Sequence, residues 1–331
     1  MDSTAKGIEF DERGFCNFCE DYLKYNKTSQ NGNLRIKDKD VLINSIKEKG
    51  KGKPYDCIIG VSGGVDSSYA LHLAVTEGLR PLAVHMDNGW NAELATNNIS
   101  NLVKGLGIDL KTHVINWEEY RGLMESFFKA NVIDIELLYD NAMIAVNYKA
   151  ALDQKIGYIL SGNNTATEGV KIPSNWNWLK YDKKNILAIN KAFEGGKTKT
   201  MPMWSVLNFC YARYIRRIQW LPFLDYFEYN KNDALTLLKE KYDYKPYPYK
   251  HYESVFTRFY QGYILPKKFN VDKRKAHFSS LICSQQMTRS DGEKELKKIP
   301  YFSEELLDED IDYFLKKMNW TSDQLETYLN E

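Results

Sequence analysis

No apolar run in this sequence approaches the ~20 residues that a bilayer-spanning helix needs. The polar opening MDSTAKGIEFDERG also lacks the apolar region of a signal peptide. An excess of one charge is missing too. The 45 Lys and Arg face 44 Asp and Glu, for a formal net charge of +1. That excludes the strongly basic profile of a general nucleic-acid binder and leaves room for a local basic patch. Five cysteines in 331 residues are too few for a disulfide framework. There is no internal repeat and no low-complexity tail. These absences point to a soluble, cytoplasmic protein with neither membrane nor nucleic acid as a partner. The sequence is 43% hydrophobic and 14% aromatic, which excludes a generally disordered chain. Its length suits two domains, or one large domain with attachments, and can bury a sizeable core.

Patterning divides the chain into residues 1–31, a polar segment with Cys16 and Cys19, then 32–202 and 203–331. An amphipathic helix is expected over 36–50, ending at Gly50. The run CIIGV then reads as a buried strand, DSSYALHLAVTEGL as a helix and RPLAVHMDN as a second strand. LATNNISNLVKGLG is a helix, LKTHVINW a third strand and IGYILSGNN a fourth. Strands alternating with helices imply right-handed crossovers: an α/β fold, an open parallel sheet with helices on both faces. WNWLKYDKKN and EGGKTK look like loops over a site, and from about 203 the pattern is mainly helical.

The strongest chemical signal is Ser62-Gly63-Gly64-Val65-Asp66-Ser67-Ser68, between an apolar strand and a helix. Two glycines let the backbone turn tightly against an anion. The helix start offers unpaired N–H groups and the positive end of its dipole. The Gly-Lys-Ser/Thr ending of a Walker loop and the G-x-G-x-x-G spacing of a dinucleotide fold are both absent. An ordinary capped turn is the alternative. The segment resembles the SGGxDS signature of the PP-loop ATP pyrophosphatases, which cleave ATP between the α and β phosphates. The resemblance implies ATP and Mg2+, with Asp66 near metal and pyrophosphate. His85 and Asp87 end the second strand, and Gly162 and Asn163 follow the fourth, so all belong to the carboxyl edge where open α/β sheets bind ligands.

Cys16-x2-Cys19 resembles half of a zinc knuckle, and a redox or sulfur-carrying dithiol competes with that reading. Cys57, Cys210 and Cys283 sit in apolar contexts and read as core. Residues 250–289 concentrate charge, much of it expected on solvated helix faces. Some of it must neutralise ATP, because adenylyl transfer is catalysed largely by electrostatics. Lys250, Lys273 and Arg274 are the candidates.

Over nearly its whole length the chain is similar to the N-acetyl sugar amidotransferases, a PP-loop family of surface-polysaccharide and flagellin-glycan biosynthesis. The resemblance rests on FDERGFCNFC, YDCIIGVSGGVDSS, VIDIELLYDNA, SGNNTATEG and LDYFEYNKNDAL. Its most specific blocks are KHYESVFTRFYQGYILPKKF and DKRKAHFSSLICSQQMTR. It implies an adenine nucleotide alpha hydrolase-like fold. ATP would adenylate the N-acetyl carbonyl of a diacetamido sugar, and ammonia would displace AMP to leave an acetamidino group. Ammonia would come from a glutaminase subunit through a synthase-like channelling subunit. Substrate contacts are implied at Asp134, Glu136, Asp140, His251 and Glu253.

The chain departs from the family in three places. An earlier C-x2-C usually precedes the segment matching MDSTAKGIEF, so the resemblance implies either a late start or half a zinc site. PYPY at 246–249 replaces glycines, and LLY at 137–139 replaces proline and threonine. Two other functions compete: a tRNA-thiolating PP-loop enzyme, and a non-catalytic nucleotide-binding scaffold.

Overall fold

The computed structural model describes residues 1–28 and 38–331. The boundary read at 31/32 and the helix start read at 36 lie outside the described residues. Five strands, β1 (Cys57–Gly60), β2 (Pro81–Asp87), β3 (Leu110–Val114), β4 (Tyr158–Ser161) and β5 (Gln219–Pro222), form one sheet in the order β3-β2-β1-β4-β5. Every pairing is parallel, with Ile58 opposite both Leu82 and Ile159, and Leu160 opposite Leu221.

β5 is a strand inside the region from about 203 that the sequence pattern reads as mainly helical. A helix forms there but stops after a π turn at Tyr211–Ile215, and the chain then extends along β4. Pro222 closes β5, which lies at the sheet edge, where a missing N–H is tolerated.

The helices are α1 (Asn17–Thr28), α2 (Lys39–Gly50), α3 (Val65–Thr76), α4 (Glu93–Leu106), α5 (Trp117–Lys129), α6 (Leu137–Asp153), α7 (Thr165–Glu168) and α8 (Lys183–Ala192). After them come α9 (Val206–Cys210), α10 (Lys231–Tyr242), α11 (Val255–Phe259), α12 (Leu265–Phe269), α13 (Arg274–Cys283), α14 (Arg289–Leu296), α15 (Glu304–Met318) and α16 (Ser322–Asn330). A second π turn, Tyr260–Ile264, links α11 to α12.

β1 shows why both sheet faces are covered. Ile58 belongs to a core with α5, α6, α11, α15 and α16, whereas Cys57 and Ile59 belong to a core with α2, α3, α4 and α10. A strand buried on both sides needs the unbroken apolar run seen here. Crossovers leave β1 and β4 toward opposite edges of the sheet, so a crevice opens between their carboxyl ends. Among the described residues no helix is long and apolar enough to cross a membrane.

Candidate functional site

The loop from Ser62 to Ser68 lies at that crevice. Gly63 has φ +84°, and a Cβ there would meet the Ala95 carbonyl oxygen at 2.8 Å, so only glycine fits. The Tyr244 hydroxyl donates to the Gly63 carbonyl at 2.8 Å, and the Gly64 N–H donates to Ser62 Oγ at 3.2 Å. Gly162, just past β4, presses on the loop: a Cβ there would lie 2.6 Å from Ser67 N. The turns after β1 and β4 are thus in backbone contact.

A cavity of about 550 Å³ opens over these turns. Ser62, Gly64, Asp66, Ser67, Gly162 and Asn163 line it, while Gly63 and Ser68 sit behind. Lys250 reaches in from the C-terminal half. Its Nζ donates to Glu168 Oε1 at 2.6 Å and stands 3.8 Å from Asp66 Oδ2, and Asn163 Nδ2 donates to Glu168 Oε2 at 2.7 Å. Burial opposes the Lys250 charge, but Glu168 and Asp66 outweigh it and hold the ammonium above its ordinary pKa. Tyr229 donates to Asp66 Oδ1, and burial together with that carboxylate pushes the phenol pKa up.

The far end of the cavity is built on the acidic segment before α6. Glu136 accepts from Lys273 Nζ at 2.5 Å and from Gln261 Nε2 at 2.9 Å. Asp140 pairs with Lys180 at 2.9 Å, and Lys180 also pairs with Asp134 at 2.8 Å. Burial opposes the Lys180 charge, but these two carboxylates raise its pKa overall. His251 adopts the left-handed backbone, φ +66°, and its ring lies 5.3 Å from that of His277. Burial, then Lys250, His251, Lys273 and Lys231, drives the His277 pKa well below the usual imidazole value, so the ring is neutral at pH 7. Glu253 is close to the loop, 3.2 Å from where a Gly64 Cβ would stand. Burial opposes its charge, but His251 keeps the carboxylate pKa low.

Besides Gly63 and Ser68, four more predicted residues lie off the cavity wall. His85 Nδ1 binds the Val61 carbonyl at 2.9 Å, and its Nε2 binds Asn91 Nδ2 at 3.0 Å. Asp87 accepts from Gly89 N at 2.8 Å. Both therefore brace the turn after β2. Asp134 is buried behind Lys180 and caps the Trp178 N–H at 2.8 Å. Arg274 turns away from the cavity, forms a fork on Asp272 and donates to the carbonyls of Glu295, Lys298 and Ile299. Its five donors are spent on the fold, so it is placed as a structural residue.

Cys16 and Cys19 are a thiol pair, Sγ to Sγ 3.3 Å, and Cys283 lies beside Cys19. Cys283 is therefore not simply core. Three thiols fall short of the four ligands of structural zinc. Among the described residues no His, Cys, Asp and Glu cluster is arranged to hold a metal. The segment before α1 straps onto α13: Met1 N donates to Ser279 Oγ at 3.1 Å, and Lys275 pairs with Asp2.

Sequence reasoning missed Glu168, Lys180, Tyr229, Lys231, Tyr244 and His277 as site residues. Lys231 opens α10 and lines the cavity, and burial lowers its pKa. The other lining lysines, 180, 250 and 273, each hold a carboxylate partner, whereas Lys231 has none within ion-pair distance among the described residues. Tyr229 and Lys231 do sit inside the LDYFEYNKNDAL block, which was the available signal.

Residues 253–331 match the C-terminal domain of WbpG-like LPS biosynthesis proteins, and residues 37–170 match NAD synthase. No curated protein matches the chain. Among solved structures, NMN synthetase from Francisella tularensis is 16% identical with a TM-score of 0.31, over 66% of this chain and 99% of that one. The NH3-dependent NAD synthetase from Campylobacter jejuni is 14% identical with a TM-score of 0.32, over 62% of this chain and 93% of that one. The U34-tRNA thiolase NcsA from Methanococcus maripaludis is 15% identical with a TM-score of 0.33, over 81% of each chain.

Proposed function

The chain belongs with the WbpG-like PP-loop proteins, and from that premise we propose that it is an ATP-dependent amidotransferase of surface-glycan biosynthesis. The N-acetyl carbonyl oxygen of a diacetamido sugar attacks the α-phosphorus of ATP, and pyrophosphate leaves. Ammonia adds to the activated carbon, AMP departs with the former carbonyl oxygen, and an acetamidino group remains. Adenylation is needed because an amide oxygen is a poor leaving group.

One observation carries this reading: the phosphate loop and a second polar lobe share one cavity of about 550 Å³. Backbone N–H groups at the loop hold phosphate, and Lys250 and Lys231 face its charge. Glu136 with Lys273 and Asp140 with Lys180 offer hydrogen bonds to sugar hydroxyl and acetamido groups. Mg2+ fits the donor set, because Asp66 presents a carboxylate on the wall with Oδ2 outside hydrogen-bond reach of Lys250 at 3.8 Å. When bound with the phosphates at Asp66, it neutralises their charge. The wall does not favour sulfur transfer, since no cysteine among the described residues lines it. Ammonia reaches the site from a separate glutaminase through a synthase-like subunit.

The test is a product assay with Mg-ATP, an ammonium salt and a panel of diacetamido sugars. AMP should appear together with a sugar about one dalton lighter, and Asp66→Ala should abolish both. ADP in place of AMP would refute the mechanism. Unchanged product in vivo with Asp66→Ala would mean a scaffold.

A further inference from the structure

Beside the cavity lies an apolar face left exposed among the described residues. Trp178, Leu179, Leu207, Tyr211, Tyr214 and Ile215 are all exposed, Leu207 at 81% and Ile215 at 70%. On α9 and its π turn, Leu207, Tyr211, Tyr214 and Ile215 recur at the spacing of one helix face. The opposite side is anchored. Ala212 is fully buried, and the Phe209 ring lies 4.7 Å from Tyr181. A capping box of Ser205 and Asn208 fixes the helix start, and an antiparallel bridge joins Ser205 to Asp182. Trp178 is held exposed by its backbone N–H on Asp134 at 2.8 Å and its indole N–H on Asp182 at 3.1 Å. The face is thus a built surface.

Two features say what covers it. Residues 178–217 carry nine Lys and Arg against two acids, in a chain of net charge +1. Arg213, Arg216 and Arg217 are exposed at the rim. A second copy would bring like charge to like, so the complementary occupant is acidic. Trp, Tyr and Arg together are the side chains that dominate protein interfaces. The face also shares a wall with the cavity: Asn177 and Lys180 line the inside, while Trp178 and Leu179 between them point out.

We propose that this face docks the ammonia-releasing partner, a glutamine-hydrolysing protein assembly that presents an apolar patch rimmed by carboxylates. This rests on the amidotransferase reading above. Ammonia in water is largely protonated at neutral pH and then has no lone pair to attack with. A partner seated on the 177–180 wall can release it next to the acceptor lobe.

The test compares the whole wild-type chain with Leu207→Glu/Ile215→Glu and with Arg213→Glu/Arg216→Glu/Arg217→Glu. Each is added to an extract of source cells lacking the native copy, with ATP and the sugar acceptor. AMP formation is driven either by an ammonium salt or by glutamine. Both variants should keep the ammonium-driven rate and lose at least about tenfold of the glutamine-driven rate, a change of ~1.4 kcal/mol. A glutamine-driven rate that survives in both variants overturns the docking proposal alone. If the apolar double variant loses both rates, the arginine variant decides by the same criterion. A wild type that makes no AMP even with ammonium removes the amidotransferase reading and this proposal together. A wild type that pellets with phosphatidylethanolamine/phosphatidylglycerol vesicles, when the variants do not and glutamine-driven rates stay equal, replaces the proposal with a membrane contact.

Discussion

Gly162→Ala puts the backbone contact between the two turns under direct test. A Cβ at 162 would lie 2.6 Å from Ser67 N, 2.7 Å from the Asp66 carbonyl carbon and 2.8 Å from Ser67 Cα. Unstrained contacts of this kind sit near 3.5 Å or beyond, so the loop must retreat by roughly 0.8 Å. Backbone cannot swing aside as a long side chain can. Overpacking of this sort costs ~1–3 kcal/mol of stability. The catalytic cost should be the larger effect, since misplacement of about 1 Å can cost ~10²-fold in rate. The assay is ATP-dependent AMP formation beside thermal unfolding, with Gly52→Ala as control. Gly52 has φ +75° and open space around it, so alanine there strains the backbone far from the cavity. Gly52→Ala should lower stability and leave the rate of the folded protein intact, whereas Gly162→Ala should lose the rate. A wild-type rate in Gly162→Ala would refute the contact as the feature that sets the loop.

Lys231→Met should leave stability unchanged or raised, because it removes a desolvated, unpaired ammonium, while calorimetric ATP affinity falls ~10–100-fold through loss of a charged hydrogen bond. Arg274→Met should do the reverse: about 1–3 kcal/mol less stable in urea, with ATP affinity of the folded protein kept. His277 protonates near 6.5 when unfolded and well below that when folded, so its contribution is fully present above ~6.5 and lost as pH falls. Stability should drop by up to ~1.4 kcal/mol per pH unit below 6.5 from this group, and His277→Gln should remove that part of the slope between pH 7.5 and 5.5.

The sheet was legible where burial leaves a continuous apolar signature. CIIGV, RPLAVHMDN and IGYILSGNN lead directly to β1, β2 and β4, and with them to the crevice. β5 escaped because QWLP is four residues long, half-buried throughout and preceded by two arginines. Its pairing with β4 is a long-range property. The phosphate loop was legible because its glycines answer to local constraints such as the φ of Gly63. Lys250 and Lys273 were named as candidates, but Lys180 and Lys231 were missed and Arg274 was grouped with the first two, because spacing cannot say which side of a helix meets a carboxylate from another element. Lys250 and Lys273 meet Glu168 and Glu136, while Arg274, one residue on, faces the opposite way. His85 and Asp87 sit at the right edge of the sheet, but Asn91 and Gly89 take up their polar atoms. The blocks KHYES and DKRKAHF fall in or beside the segment that matches the WbpG-like domain, and they were the sequence's most specific pointer to glycan biosynthesis.

The strap between the first residues and α13 has a consequence for when the site comes into being. Met1 and Ser279 touch across 278 positions, and Lys273 at the head of the same helix holds Glu136 in the cavity. Contacts that distant cannot form until most of the chain has left the ribosome. At ~5–20 residues per second that delay is roughly 15–60 s. Until then the central sheet can pair while one wall of its cavity is missing. ATP binding is therefore expected to arise late in synthesis.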